Sequence, residues 1–286
     1  MQTTKTEAHS DGTRCLHCAV RASGFCSCLD PRSRSEISEK STLSIYSKDT
    51  EIVTQGESFG KVGIIANGTV KLSTVTVDGD EHVLQVLRSG QLICLPENAK
   101  SQFSWTTVSE VRVCWMPHRA WDGFLQESPQ HVQSYMTAMY SQFEQMQLWV
   151  THMRGRHTLQ RAAFWILEEL SFTHRGDENT LHICLSRRDL ASLLDMTVET
   201  LCRSLRLLHD KKAILLLTPD LLEVTDLAKL RLIARCLDGY VEDTSASFAS
   251  ERMARNWGGV SLSTRQNIDD TCAPSQDLIR GSEQTT

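Results

Sequence analysis

The chain lacks any apolar run long enough to cross a membrane, and its first residues, "MQTTKTEAHSDGTR", lack the apolar core of a signal peptide. A cytoplasmic protein with no membrane partner is therefore expected, in a reducing compartment where disulfide staples are rare. No cofactor loop, acid–base pair or nucleophile constellation stands out, so no enzyme is expected. Charge of one sign is lacking too: 30 Lys and Arg face 35 Asp and Glu, a formal net charge of −5. From Asp238 onward eight acids face four arginines, in a stretch rich in Ser, Thr, Gly and Asn without sustained periodicity. Residues 234–286 are thus read as a mostly disordered acidic tail, and the remainder is close to neutral. Whole-chain charge decides nothing about a nucleic-acid partner. With 286 residues, 40% of them hydrophobic, the chain has ample core for one large domain or two small ones.

Cysteine is what the sequence has in plenty. "CLHCAVRASGFCSCLD" sets Cys15, Cys18, Cys26 and Cys28 within fourteen positions. Clustered thiols in a reducing compartment point to metal, and thiolate softness alone suits zinc and an iron–sulfur cluster equally. Zinc would be satisfied within residues 15–28, like a small knuckle. A dithiol redox switch is the third reading, although the C-x-x-C lacks the βαβ context of a thioredoxin. Cys94, Cys184, Cys236 and Cys272 read as small core residues or tail thiols. His118 reads as a surface residue, or as a donor beside Cys114.

The organisation expected is α+β. Residues 1–14 form a flexible start and 15–30 the cysteine cluster. Within residues 31–126, Gly56, Gly68, Gly79 and Gly90 recur every eleven or twelve positions between runs rich in Val, Ile and Thr. Evenly spaced short strands, with "VDGDE" as an Asp-Gly hairpin, indicate an antiparallel β-roll or jelly roll. Residues 127–156 then switch to helix. Val132, Met136, Met139, Phe143, Met146, Val150 and Met153 step by four and three, an a/d seam three heptads long. A seam so narrow and long suits pairing with a copy of itself; the plain alternative is a helix packed on its own domain.

Residues 157–233 read as a winged helix-turn-helix. "LQRAAFWILEELSF" is amphipathic, "SRRDLASLLD" opens with a Ser186–Asp189 capping pattern, and "TVETLCRSLRLLHDKK" follows after Met196 alone. "AILLLTPDLLEVTD" is a hairpin turned at Thr218-Pro219-Asp220. In the second helix Val198, Leu201, Leu205 and Leu208 form an inner stripe. Glu199, Cys202, Arg203 and Arg206 point outward, where arginine can meet guanine and a carboxylate can accept from cytosine. A solvated Glu199–Arg203 pair on a surface helix is the plain alternative. Arg187, Arg188, Lys211 and Lys212 fit phosphate contacts, so double-stranded DNA is the expected partner.

Cysteine cluster, β-roll, heptad helix and winged helix in this order resemble the CRP/FNR superfamily of bacterial transcription regulators up to about residue 230. "LDMTVETLCRSL" resembles the FNR-type recognition helix, V-E-T-x-S-R, with Cys202 at the serine position. "CLHCAVRASGFCSC" resembles the cluster motif of FNR-type oxygen sensors, and Cys114 falls just after the last roll strand, where those proteins keep an internal ligand. The resemblance implies an oxygen-responsive homodimer with a 4Fe–4S cluster on Cys15, Cys18, Cys26 and Cys114, Cys28 being the alternative third ligand. It implies a TTGAT-like palindrome read by Glu199 and Arg203, and RNA polymerase contact by Asp80 and Glu81. A zinc-stapled or cluster-free regulator and a cytosolic C-x-x-C redox protein are the alternatives. Cyclic nucleotide is not expected. "GQLICLPENAKSQFSW" has neither the Gly-Glu turn nor the arginine that hold its phosphate in other members. The helix-turn-helix turn, usually glycine-bearing in this group, is Leu194-Asp195-Met196, and aspartate tolerates a left-handed backbone. The wing turn offers Pro219 and Asp220 where a basic residue would grip phosphate.

Overall fold

The computed structural model describes residues 5–7, 15, 18–172 and 179–235; the tail beyond Arg235 and most of the expected flexible start lie outside the described residues. The Val-, Ile- and Thr-rich runs become β1 (Lys5–Glu7), β2 (Thr42–Tyr46), β3 (Glu51–Val53), β4 (Lys61–Asn67), β5 (Val70–Val75), β6 (Glu81–Leu87), β7 (Leu92–Ile93), β8 (Ser104–Thr107) and β9 (Val111–Pro117). They form two antiparallel sheets, ordered β1-β2-β9-β4-β7 and β3-β8-β5-β6, closed face to face as a roll. The β5–β6 hairpin turns through Gly79, at φ +86°, as its Asp-Gly signal requires. β1 corrects the expectation of a wholly flexible start, because Lys5–Glu7 pairs with the edge of β2.

β4 explains how the layers assemble. Its five central residues are all buried, so the strand is covered on both faces. Ile65 turns into the roll with Val70, Leu87, Trp105, Val113 and Trp115. At Gly63 an added Cβ would lie 2.3 Å from the Trp115 ring, so the absence of a side chain is what seats that indole. Val62 and Ile64 face the other way, into a helical layer of which the sequence showed only the helix of residues 127–156. That layer comprises α1 (Gly24–Ser27), α2 (Pro31–Lys40), α3 (His118–Glu127) and α4 (Pro129–Met153). Phe25, Leu29, Ile37, Trp121, Phe124 and Ala138 fill the space between helices and sheet. His118, read as a surface residue, is buried at the start of α3.

Ser128 caps α4 through the Gln130 amide, with Pro129 in the first turn, where its missing N–H costs nothing. Beyond it lie α5 (Thr158–Phe172), β10 (Thr180–His182), α6 (Arg187–Leu193), α7 (Val198–Asp210), β11 (Ile214–Thr218), β12 (Leu221–Val224) and α8 (Leu227–Ala234). The expected hairpin is β11–β12, extended by β10 into a three-stranded sheet. Phe164, Trp165, Ile166 and Leu167 of α5 pack with Leu190 of α6 and Leu201, Leu205 and Leu208 of α7. Val83 and Val86 of the roll belong to this same core.

Candidate functional site

Four of the five candidate thiols meet. Cys15, Cys18, Cys26 and Cys114 line one cavity, with Arg21, Arg34, Ile37 and Ile64 completing much of its wall. Cys114 reaches it from β9, where it sits between Leu43 of β2 and Ile64 of β4. Cys26 comes from α1. That short helix is pinned to the roll because Gly24, at φ +55°, lies so close to Gly90 that a Cβ would sit 2.0 Å from the Gly90 carbonyl oxygen. The Phe25 amide donates to that same oxygen at 3.1 Å. Cys28 does not line the cavity. Its Sγ turns back to the Gly24 carbonyl at 3.7 Å, and its own carbonyl accepts from Ser134 Oγ of α4 at 2.9 Å.

Burial pushes the Cys26 thiol well up, and the neighbouring Cys114, Cys15 and Cys18 add to the rise while Arg34 opposes it. A group that holds these sulfurs as thiolates must therefore bring positive charge into an apolar pocket. Among the described residues, no three His, Cys, Asp or Glu are arranged to hold a metal ion. The four thiols border one common space. A single zinc needs every sulfur about 2.3 Å from one centre, whereas a polynuclear cluster takes each thiolate at a different iron. Four soft thiol donors are the chemistry that either group takes.

This cysteine arm is tied directly to α4. Besides the Ser134 bond, buried His131 stacks on Phe124 at 3.9 Å and bonds both the Phe124 carbonyl at 2.6 Å and Ser33 Oγ of α2 at 2.8 Å. Ser33 Oγ donates in turn to Asp30 at 2.9 Å. The inner face of α4 thus carries His131, Ser134 and Ala138, with Gln142 clasping both backbone groups of Leu92. The outer face carries Val132, Met136, Phe143, Met146 and Val150, all exposed. Met139 and Met153 depart from the expected seam: both are half-buried, against the α3 layer and the core around α5, α6 and α7 respectively. Tyr140, which the heptad count passed over, is exposed with the outer stripe.

In the helix-turn-helix, Ser186 Oγ accepts from the Asp189 amide at 3.0 Å and Thr197 Oγ1 from the Thr200 amide at 3.2 Å. Asp195 takes the left-handed conformation, φ +52°, that the turn needs. Arg161, which sequence reading missed, braces this turn by donating to the Leu194 and Asp195 carbonyls at 3.1 and 2.9 Å. Glu199, Arg203 and Arg206 are exposed, Cys202 is half-exposed, and no ion pair joins Glu199 to Arg203 among the described residues. Val198 corrects the expected inner stripe: it is exposed at the first turn, and Ser204 is buried in its stead. Arg188, Lys211 and Lys212 stand free at the helix ends, while half-buried Arg187 donates to the Pro219 carbonyl and braces the wing turn. Asp80 is exposed, but the Glu81 carboxylate lies 2.9 Å from Lys71.

Comparison with known proteins places both halves of this arrangement. The family model described as Cyclic nucleotide-binding domain matches residues 44–128, and the Crp-like helix-turn-helix domain matches residues 160–233. The chain is similar to the nitrogen fixation regulation protein FixK of Bradyrhizobium diazoefficiens, 22% identical over 206 residues, covering 71% of this chain and 87% of that protein. It is also similar to the fumarate and nitrate reduction regulatory protein of Vibrio cholerae, 26% identical over 162 residues, covering 55% and 65%. The structure of FixK2 from Bradyrhizobium japonicum shares the fold, with a TM-score of 0.62 at 17% identity, covering 68% of this chain and 96% of that one.

Proposed function

The chain belongs to the CRP/FNR superfamily of DNA-binding transcription regulators, and on that premise we propose that it is an oxygen-responsive member whose Cys15, Cys18, Cys26 and Cys114 hold a 4Fe–4S cluster. The observation that carries the reading is the shared cavity of these four thiols, one of them delivered from β9, a central strand of its sheet. A bound cluster supplies an oxygen-labile crosslink between the N-terminal arm and β9. The chain's own residues convert that crosslink into assembly. Cys26 lies two positions before Cys28, whose carbonyl is held by Ser134, and Ser134 lies two positions from Val132 and Met136 of the outer stripe. Fixing the arm fixes α4 through its inner face, and the exposed apolar stripe on the opposite face pairs with its copy. The homodimer then presents two α7 helices to a TTGAT-like palindrome, with Arg203 on the guanine and Glu199 beside it.

Purification without air tests this. The expected product is a brown protein containing iron and sulfide that binds the palindrome and loses colour and affinity together on exposure to oxygen. A colourless zinc protein that binds DNA equally with and without oxygen would overturn the oxygen-sensing reading and restore the zinc-stapled alternative.

A further inference from the structure

Lys71 is the one lysine among the described residues whose side chain is buried, 11% exposed. It stands on β5, and its Nζ lies 2.7 Å from Asp189 Oδ1 of α6 and 2.9 Å from Glu81 Oε1 of β6. One ammonium therefore holds two carboxylates from different domains, which would repel each other without it. Beside this triad, α6 covers the free edge of β6. The Val83 amide donates to Ser192 Oγ at 2.9 Å, and Ser192 Oγ donates to the Glu81 carbonyl at 3.4 Å. An edge strand otherwise presents such groups to water. Arg88, at the far end of β6, pairs with Glu169 of α5 and lies 4.2 Å over the Phe172 ring.

The covalent link between α4 and α5 does not by itself impose this orientation. It passes through Gly155, at φ +67°, around which nothing stands within 4 Å of an added Cβ. The link is braced on one side, by Arg156 on the Ala234 carbonyl and by His152 stacked 4.2 Å from Phe164. Rotation about that brace is limited by the β6 contact.

We infer that Lys71 and Ser192 are positioning residues for DNA recognition: they clasp the DNA-binding domain to the β-roll and so fix the direction in which α7 is presented. The inference rests on the reading of the chain as a dimeric DNA-binding regulator. Contacts within one half-site depend on α7 and the residues flanking it, all within one DNA-binding domain. Engaging two half-sites at once depends on the separation and angle of the two α7 helices, which makes spacing a geometric property of the protein. Glu81, which the family resemblance offers to RNA polymerase, is thereby assigned to the clasp.

Two measurements on the full-length protein test this. The first is hydrogen exchange at the Val83 amide, expected slow in the wild type and faster in Ser192→Ala and Lys71→Met. The second is affinity for a selected palindrome relative to a single half-site. Lys71→Met should lower that ratio about tenfold, within the range of intramolecular avidity, and tolerate an inserted central base pair better, while half-site affinity holds. Lys71→Arg, which keeps the charge, should restore the ratio. A Val83 amide that exchanges as a free edge in the wild type overturns the clasp. An unchanged ratio in both Lys71→Met and Ser192→Ala, despite lost Val83 protection, overturns its positioning role, and so does an equal loss on palindrome and half-site. Were wild type to show no preference for palindrome over half-site, the dimeric reading would fail while Val83 protection still reported on the clasp.

Discussion

Cys26 and Cys28 are two residues apart and have opposite surroundings, which is where a single side chain decides the cluster assignment. Cys26 shares a cavity with three other thiols, whereas Cys28 faces its own helix turn. Cys26→Ala should therefore lose the iron chromophore and Cys28→Ala should keep it, as measured by anaerobic absorbance with iron and sulfide content. A bleached Cys28→Ala protein beside a brown Cys26→Ala protein would reverse the assignment. Spacing alone left the two open, because a C-x-C pair says nothing about which thiol a helix of four residues turns inward. On α7, outward residues were legible because the helical period separates them from Leu201, Leu205 and Leu208. Val198 was misjudged because a first-turn position has no neighbouring element above it. Arg203 is exposed and free of Glu199, so its loss bears on base contact more than on stability. One good bidentate contact to guanine is worth about 1–3 kcal/mol, so Arg203→Ala should bind the cognate site roughly ten- to a hundred-fold more weakly and discriminate less at that base. Lys211→Ala should weaken all sequences alike. Titrations on cognate and guanine-substituted sites distinguish the two patterns.

At the scale of elements, α4 shows what periodicity can and cannot reveal. The heptad count found the outer face, since nothing among the described residues covers Val132, Met136, Phe143, Met146 and Val150. It did not reveal the inner face, where His131, Ser134 and Gln142 work through hydrogen bonds to partners 50 to 106 residues away. Such bonds leave no apolar signature. α1 and α2 were hidden for a similar reason: one is a single turn, and the other is mostly polar with Ile37 as its buried anchor. Met146 lies within the outer stripe, so Met146→Asp places a charge in the paired seam, where it has no partner. Sedimentation should show a monomer for this variant and a dimer for the anaerobic wild type. The end of α4 carries a pH-sensitive contact as well. Burial, with the Arg156 charge beside it, pushes His152 from an ordinary 6.5 down to about 4. The folded state therefore holds the ring neutral while the unfolded chain takes up a proton. The stability it contributes is complete above pH 6.5 and declines as pH falls from there through 4. Thermal melts between pH 7 and 5, above the ordinary carboxylate range, should fall more steeply for wild type than for His152→Gln.

In the whole molecule, the arm touches the thiol cavity, the roll and α4 together. Its α1 carries Cys26 into the cavity, its Gly24 and Phe25 lie against Gly90 of the roll, and the Cys28 carbonyl meets Ser134 of α4. The order of modules was legible along the chain because each has its own period: cysteine spacing, short strands, heptads, capped helices. Their mutual packing was not legible, because it rests on a glycine pair and a few side-chain bonds between distant positions. Gly24 is the position at which this packing can be undone without touching a thiol. Its φ of +55° disfavours any β-branched residue, and a Cβ there would penetrate the Gly90 backbone. Gly24→Val should lift α1 from the roll while leaving intact the β-sheets, whose core is built on Ile65, Val70, Trp105, Val113 and Trp115. Anaerobic Gly24→Val protein is then expected to hold less iron than wild type and to sediment with the low dimer fraction of Cys26→Ala, with roll and winged-helix circular dichroism unchanged. Full iron content together with a wild-type dimer would mean that the thiols and α4 communicate by a route other than the arm.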